Sequence, residues 1–173
     1  MGQIHSPRPV LLLVAACSRY PPALAWARQQ MIHHFGEVLL ESEFFSFTET
    51  DYYLQSMGTN LNKQFLTFGP RIDPANLPAI KHQTNRWEAM YAEKSSFPEP
   101  RPLNLDPGYI TRAKLVLAST KDHAHRIYLQ DGIYAEVTLN FRKGSWHRLD
   151  WTYPDYQRAD FQHFFTRCRE QMG

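Results

Sequence analysis

The chain has 173 residues, 19 Lys+Arg against 17 Asp+Glu, and a formal net charge of +2. That length suits one domain with a substantial core and is short for two, and the near balance of charge excludes the large basic excess of a bulk nucleic-acid binder. Two cysteines, Cys17 and Cys168, exclude a disulfide framework and a cysteine-based zinc site, while 11 Phe, 9 Tyr and 4 Trp favour a bulky, sheet-rich core.

The most apolar run, Val10 to Ala16, reads as a buried first strand extending to Cys17. Val14-Ala15-Ala16-Cys17 resembles a lipobox, and Gly2 with Ser6 fits a myristoylation pattern, but the apolar run is short for a signal segment and both patterns are permissive. No stretch approaches the roughly 18 apolar residues of a membrane span. Pro21-Pro22 lead into a helix whose Leu24, Ala27, Met31 and Phe35 share a face, closed by Gly36. Val38 to Phe47 is predicted as a second strand, Asp51 to Gly58 as a polar-aromatic connection, and Lys63 to Phe68 as a third strand closed by Gly69-Pro70.

A second helix is predicted over Leu77 to Tyr91, with Asn76 capping it, Pro78 in its first turn and Ile80, Thr84, Trp87 and Tyr91 buried. The proline-rich stretch Ser95 to Pro102 reads as a loop. Asn104 to Tyr109 carries Pro107-Gly108 and reads as a type II turn, in which Asp106 caps its own backbone or serves as a loop carboxylate. Strands follow at Ala113 to Ser119, Ala124 to Gln130 and Ile133 to Phe141, the last two as a hairpin about Asp131-Gly132. Trp151 to Tyr156 is an aromatic loop able to line a pocket or to close the core from its rim, and a final helix places Phe161, Phe164, Phe165 and Cys168 on one face. The order suggests an α+β fold of ferredoxin-like type, a split βαβ sandwich with its helices on one sheet face, extended by a β-hairpin and a C-terminal helix. Residues 1–173 read as a single domain.

Charge is unevenly spread. Between Arg28 and Lys63 there is no Lys or Arg, yet there are Glu37, Glu41, Glu43, Glu49 and Asp51; from Arg101 to Asp150 eight basic residues face five acidic ones. The densest polar segment is Ser119-Thr120-Lys121-Asp122-His123-Ala124-His125-Arg126, which supplies hydroxyls, a carboxylate, two imidazoles and two cations between apolar strands. Lys121, Arg126, Ser119 and Thr120 are candidates to hold an anion, with Tyr53 as an aromatic wall; His123 or His125 with Glu136 are candidate acid/base groups, and Asp106 is a further catalytic candidate. Strand register decides the arrangement. A two-residue Asp131-Gly132 turn sets His125 opposite Thr138 and His123 opposite Asn140, so that His123, His125 and Glu136 share a face and could ligate a metal. A turn one residue longer sets Arg126 opposite Glu136 as a cross-strand ion pair. His-x-His alone is a weak metal signal, so no metal is assigned, and no cofactor is indicated. P-loop, dinucleotide-binding, nucleophile-elbow and zincin motifs are absent.

The runs Asn104-Leu105-Asp106-Pro107-Gly108-Tyr109, Leu115-Val116-Leu117-Ala118-Ser119-Thr120-Lys121-Asp122 and His125-Arg126-Ile127-Tyr128-Leu129 resemble a known family. So do Gly132 to Leu139, Trp151 to Tyr156, Thr50-Asp51-Tyr52-Tyr53 and Met57-Gly58. Together they are similar to the prokaryotic domain of unknown function 4416 family, with its Ala-Ser-Thr-Lys run, over essentially the whole chain. The resemblance implies a prokaryotic, cytoplasmic protein and transfers no catalytic residue. The function expected from the residues is binding of, or catalysis on, a small anionic ligand, phosphorylated ones included, without membrane or nucleic-acid partners. The alternative is a non-catalytic interaction module whose partner is a second copy of the chain.

Overall fold

The computed structural model describes residues 2–48 and 54–173. Among them, nine strands form one antiparallel sheet: β1 (Leu11–Ser18), β2 (Val38–Glu41), β3 (Phe45–Phe47), β4 (Leu61–Phe68), β5 (Asn104–Ile110), β6 (Lys114–Ser119), β7 (Ile127–Gln130), β8 (Ile133–Arg142) and β9 (Ser145–Arg148). Four helices accompany them: α1 (Pro21–Phe35), the single turn α2 (Leu54–Met57), α3 (Leu77–Lys94) and α4 (Ala159–Glu170).

The sheet runs β2-β4-β1-β5-β6-β8-β7, with β3 pairing on β4 and β9 on β8. β4 lies between β1 and β2, and β1 lies between β4 and β5, so α1 and α3 each cross over one intervening strand. The continuous apolar run of β1 follows from this central place: both of its faces are covered. Leu12, Val14 and Ala16 pack with Ala27 and Met31 of α1 and Ile80 and Trp87 of α3. Leu11, Leu13 and Ala15 pack on the opposite face with Phe161, Phe164, Phe165 and Cys168 of α4. The helices therefore occupy both faces, which corrects the expectation of one; the amphipathic stripe of α4 needs its own apolar sheet face, and the first is filled by α1 and α3.

The helix ends follow local chemistry. Pro21-Pro22 occupy the first turn of α1, where no N–H is missed, and Gly36, at φ 94°, closes it by donating to the Ile32 carbonyl at 3.0 Å. At α3 Asn76 makes no capping bond; instead Asp73 accepts from Ala75 N–H at 2.9 Å and starts a 3-10 turn that feeds the helix. The predicted strand from Val38 to Phe47 is two short strands, because Ser42 breaks the ladder: its Oγ accepts from Phe65 N–H and its carbonyl from Gln64 Nε2, each at 2.9 Å. Ser145–Arg148, assigned to no element from sequence, is the edge strand β9 and buries Trp146.

The largest correction concerns Asn104–Ile110, expected as a type II turn. It is an interior strand, paired along its length with β1 from Leu11↔Ile110 to Cys17↔Asn104. Its Gly108 serves close approach: a Cβ there would collide with the carbonyl oxygen of Val116 in β6. The hairpin about Asp131-Gly132 has its two-residue turn, with positive φ at both residues (51° and 74°). A register shift between Tyr128 and Gln130 then pairs Tyr128 with Tyr134 and Ile127 with Ala135. β7 begins only at Ile127, so residues 123–126 form a turn, with Arg126 N–H donating to the His123 carbonyl. His123 and His125 consequently do not face Asn140 and Thr138.

A candidate anion-binding cleft where the sheet divides

β5 and β6 pair only from Gly108↔Leu117 to Ile110↔Leu115. Beyond Gly108, β5 continues on β1 alone, while Ala118 and Ser119 of β6 pair with Ala135 and Tyr134 of β8. The two strands part, and the same register would have set Asp106 opposite Ser119. Pro107 stands at the fork and has no N–H to offer a neighbour.

The opened side of β5 is satisfied from α3. Leu105 N–H donates to Glu88 Oε1 at 2.7 Å, and the Leu105 carbonyl accepts from Lys81 Nζ at 3.0 Å. In an antiparallel ladder one opposing residue exchanges both bonds; here two side chains seven residues apart on one helix face replace it. That explains why charged residues sit on the buried side of α3. Arg101 holds Glu88 Oε2 at 2.9 Å and also donates to Asn104 Oδ1, whose amide donates to Asp106 Oδ2 at 2.6 Å. Lys81 Nζ lies 3.1 Å from Asp106 Oδ1. Burial raises the Asp106 carboxyl, but Lys81, the Asn104 amide and the charges of Lys63 and Arg101 outweigh it and hold it below the ordinary range. Burial pushes Glu88 the other way, above it, despite Arg101 and Lys81.

A cavity of about 440 Å³ fills the fork. This lies within the usual size range of small-ligand sites. Its β6 wall is Leu117 to Lys121, its β5 wall Asn104 and Asp106, and its roof the loop from Tyr153 to Tyr156 that precedes α4. Opposite stand Lys63 of β4 and Phe47 of β3. Lys63 and Asp155 form a buried ion pair, their side chains 7% and 4% exposed, and the ammonium lies 4.1 Å from the Phe47 ring centroid.

At the β6 end Arg126 is the organising group. Its Nε donates to Glu136 Oε2 at 2.8 Å, and its terminal nitrogens donate to Ser119 Oγ at 2.7 Å, the Lys121 carbonyl at 3.0 Å and Tyr153 Oη at 2.6 Å. Thr138 Oγ1 donates to the other Glu136 oxygen at 3.2 Å. Burial and the Glu136 charge push the Tyr153 phenol up to about 12. It is therefore neutral at physiological pH.

Of the residues singled out from sequence, Ser119, Thr120, Lys121, His123, Arg126, Glu136 and Asp106 all line this cavity. His125 does not. Its Nε2 lies 3.2 Å from Glu136 Oε2, and its ring is stacked between His123 and Trp151 at 5.9 and 5.1 Å. Tyr53 lies outside the described residues, as does Tyr52. Among the described residues no group of three or more His, Cys, Asp or Glu side chains is placed to hold a metal ion, and His123, His125 and Glu136 are not brought together as one. Cys17 and Cys168 are buried, and burial pushes both thiols up to about 12, so neither is a thiolate nucleophile.

Sequence reasoning missed Lys63, Lys81 and the Arg101–Asn104 link, and it marked the loop holding Asp155 for its aromatic faces and not for its carboxylate. A signal existed for Lys81 and Glu88, which share a helix face with the apolar-stripe residue Thr84. None existed for the pairing of Lys63 with Asp155, separated by 92 positions. Among the described residues no helix is long and apolar enough to cross a membrane.

Comparison with known proteins places the chain. A family model described as a domain of unknown function (DUF4416) matches residues 8–172. Neither the curated proteins nor the solved structures provide a match. The chain belongs to the DUF4416 family.

Proposed function

We propose that this DUF4416 protein binds a small anionic ligand, of the phosphorylated class, in the cleft where β5 and β6 part. The observation that carries the reading is the charge of the cavity wall: among the described residues it holds five cationic side chains, Lys63, Lys81, Arg101, Lys121 and Arg126, against the carboxylates of Asp106, Glu136 and Asp155. Counting Glu88 behind Arg101 still leaves the wall positive. Inside a cavity such an excess acts at a lower effective dielectric and favours an anion more than the same charges do on an open surface. The hydroxyls of Ser119 and Thr120 add donors at the mouth of the cleft. A turnover reading uses the same cleft, with His123 and Asp106 at its wall as the acid/base candidates.

The test is calorimetric titration of the protein with inorganic phosphate, beside Lys121→Ala and, as a control outside the cleft, Arg86→Ala. Phosphate is expected to bind the native protein and Arg86→Ala alike, and Lys121→Ala at least tenfold more weakly. Equal affinity in all three removes the reading.

A second reading, a non-catalytic module that pairs with another copy, is favoured by the edge strand β7. Its Ile127, Tyr128 and Leu129 are 73%, 57% and 39% exposed, and an unpaired strand edge is a template for further pairing. The Arg126–Glu136 ion pair also fits it. Light scattering decides: a dimer abolished by Ile127→Lys supports it, and a monomer at all concentrations removes it.

A further inference from the structure

We infer that the ligand is a phosphorylated sugar or polyol, its hydroxyls read by the Lys63–Asp155 and Lys81–Asp106 couples; this rests on the anion-binding reading of the same cleft. Both couples are built into the cavity wall. The Lys63 and Asp155 side chains are each more than nine-tenths buried, and so is that of Lys81. Their hydrogen-bonding capacity is only partly used. Among the described residues Lys63 donates to Asp155 Oδ2, and Asp155 Oδ1 accepts no bond. Since no buried side-chain polar atom among those residues lacks a partner, that oxygen is not sealed from solvent, and its residue lines the cavity. Lys81 uses two of its three ammonium protons, on Asp106 and the Leu105 carbonyl.

Each couple is already neutralised, so it is poorly suited to a second phosphate-like charge. It is well suited to a hydroxyl, which accepts from the ammonium and donates to the carboxylate and so leaves the buried pair balanced. A second such couple in the same cavity suits a ligand with several hydroxyls. The β6 wall is different in kind: among the described residues Ser119 and Thr120 bring hydroxyls there, and Lys121 and Arg126 bring two cations beside the carboxylate of Glu136. A ligand with a phosphoryl group at one end and hydroxyls at the other matches both walls at once.

Calorimetric titration of the full chain with ribose 5-phosphate, ribose and inorganic phosphate tests this, repeated in Asp155→Asn and in the double variant Lys63→Met, Asp155→Leu. The double variant leaves no unpaired buried charge and serves if the single one fails to fold. Ribose 5-phosphate is expected to bind at least tenfold more tightly than either fragment. Both variants are expected to lose that gain: the double variant, which removes one charge of each sign, keeps phosphate affinity within about twofold, and Asp155→Asn, which leaves the wall one charge more positive, binds phosphate no more weakly than the native protein. Equal affinity for ribose 5-phosphate and phosphate, or a variant that weakens both equally, overturns the hydroxyl assignment and leaves anion binding standing. Equal affinity for ribose and its phosphate, or no binding of any probe, overturns anion binding and this inference with it.

Discussion

At the scale of single residues, Arg126 and Asp106 hold the two sides of the cleft. Arg126 has a side chain 4% exposed, on a Glu136 carboxylate that is 1% exposed. Removing one partner of such a pair strands a buried charge, so Arg126→Ala is expected to cost about 3–5 kcal/mol in a denaturant titration. Arg126→Lys is expected to recover only part of this, since one ammonium cannot reach Glu136, Ser119 and Tyr153 together. Asp106 carries a pH signature. Its carboxyl is held below its ordinary value of 3.8 in the folded protein, so the unfolded chain binds the proton first as acid is added. Its stabilising effect is complete above the unfolded value and is lost as pH falls through the folded one. Asp106→Asn is therefore expected to flatten the acid limb of the stability curve below pH about 4; an unchanged limb would separate Asp106 from the cations around it. The residues of the β6 wall were legible in the sequence because they are contiguous, Ser119 to Arg126. On the opposite wall Asp106 was singled out, but nothing in the sequence linked it to Lys63, Lys81 and Asp155, which come from β4, α3 and the loop before α4; only the sheet order brings the four together.

At the scale of elements, the cleft exists because one strand pair is left unfinished. Gly108 marks the last point at which β5 and β6 touch, with no room for a Cβ against Val116. Gly132, in the β7–β8 turn, has open space around it and needs glycine only for its φ of 74°. The two should respond differently to the same change. Gly132→Ala is expected to cost about 1–2 kcal/mol, the penalty of a left-handed backbone. Gly108→Ala must displace a backbone carbonyl and is expected to cost more, with extra protection loss at Val116 and Leu117 in hydrogen exchange. Equal costs would show that β5 and β6 tolerate wider separation. Most elements were legible because period and punctuation agree: β1 from its apolar run, α1 from its prolines and Gly36, α4 from its phenylalanines. β5 was misread because Pro-Gly is a turn signal by local rules. Here Pro107 sits where β6 has already left, and Gly108 sits where β6 comes closest. The β7–β8 register was legible only as a choice between two alternatives: the turn has two residues, yet the shift between Gln130 and Tyr128 moves the strand on by one.

At the scale of the whole molecule, the sheet is a shared wall. α1 and α3 cover one face and α4 the other, with Phe65, Phe161 and Phe165 at the centre of the second core. Where α4 begins, that face changes from apolar to polar, and the loop holding Tyr153 and Asp155 closes over it. The small net charge of +2 conceals this, because the acidic stretch from Glu37 to Glu43 offsets the cations gathered in the cleft. Layering on both faces was not legible, since the stripe of α4 does not say which face it covers. The most direct measurement is the position of a heavy anion in a crystal of the protein soaked in tungstate. The expected result is an anomalous tungsten peak in the fork between β5 and β6, with an oxygen about 3 Å from Ser119 Oγ or Lys121 Nζ. Tungsten bound only elsewhere, with the fork empty, would contradict it.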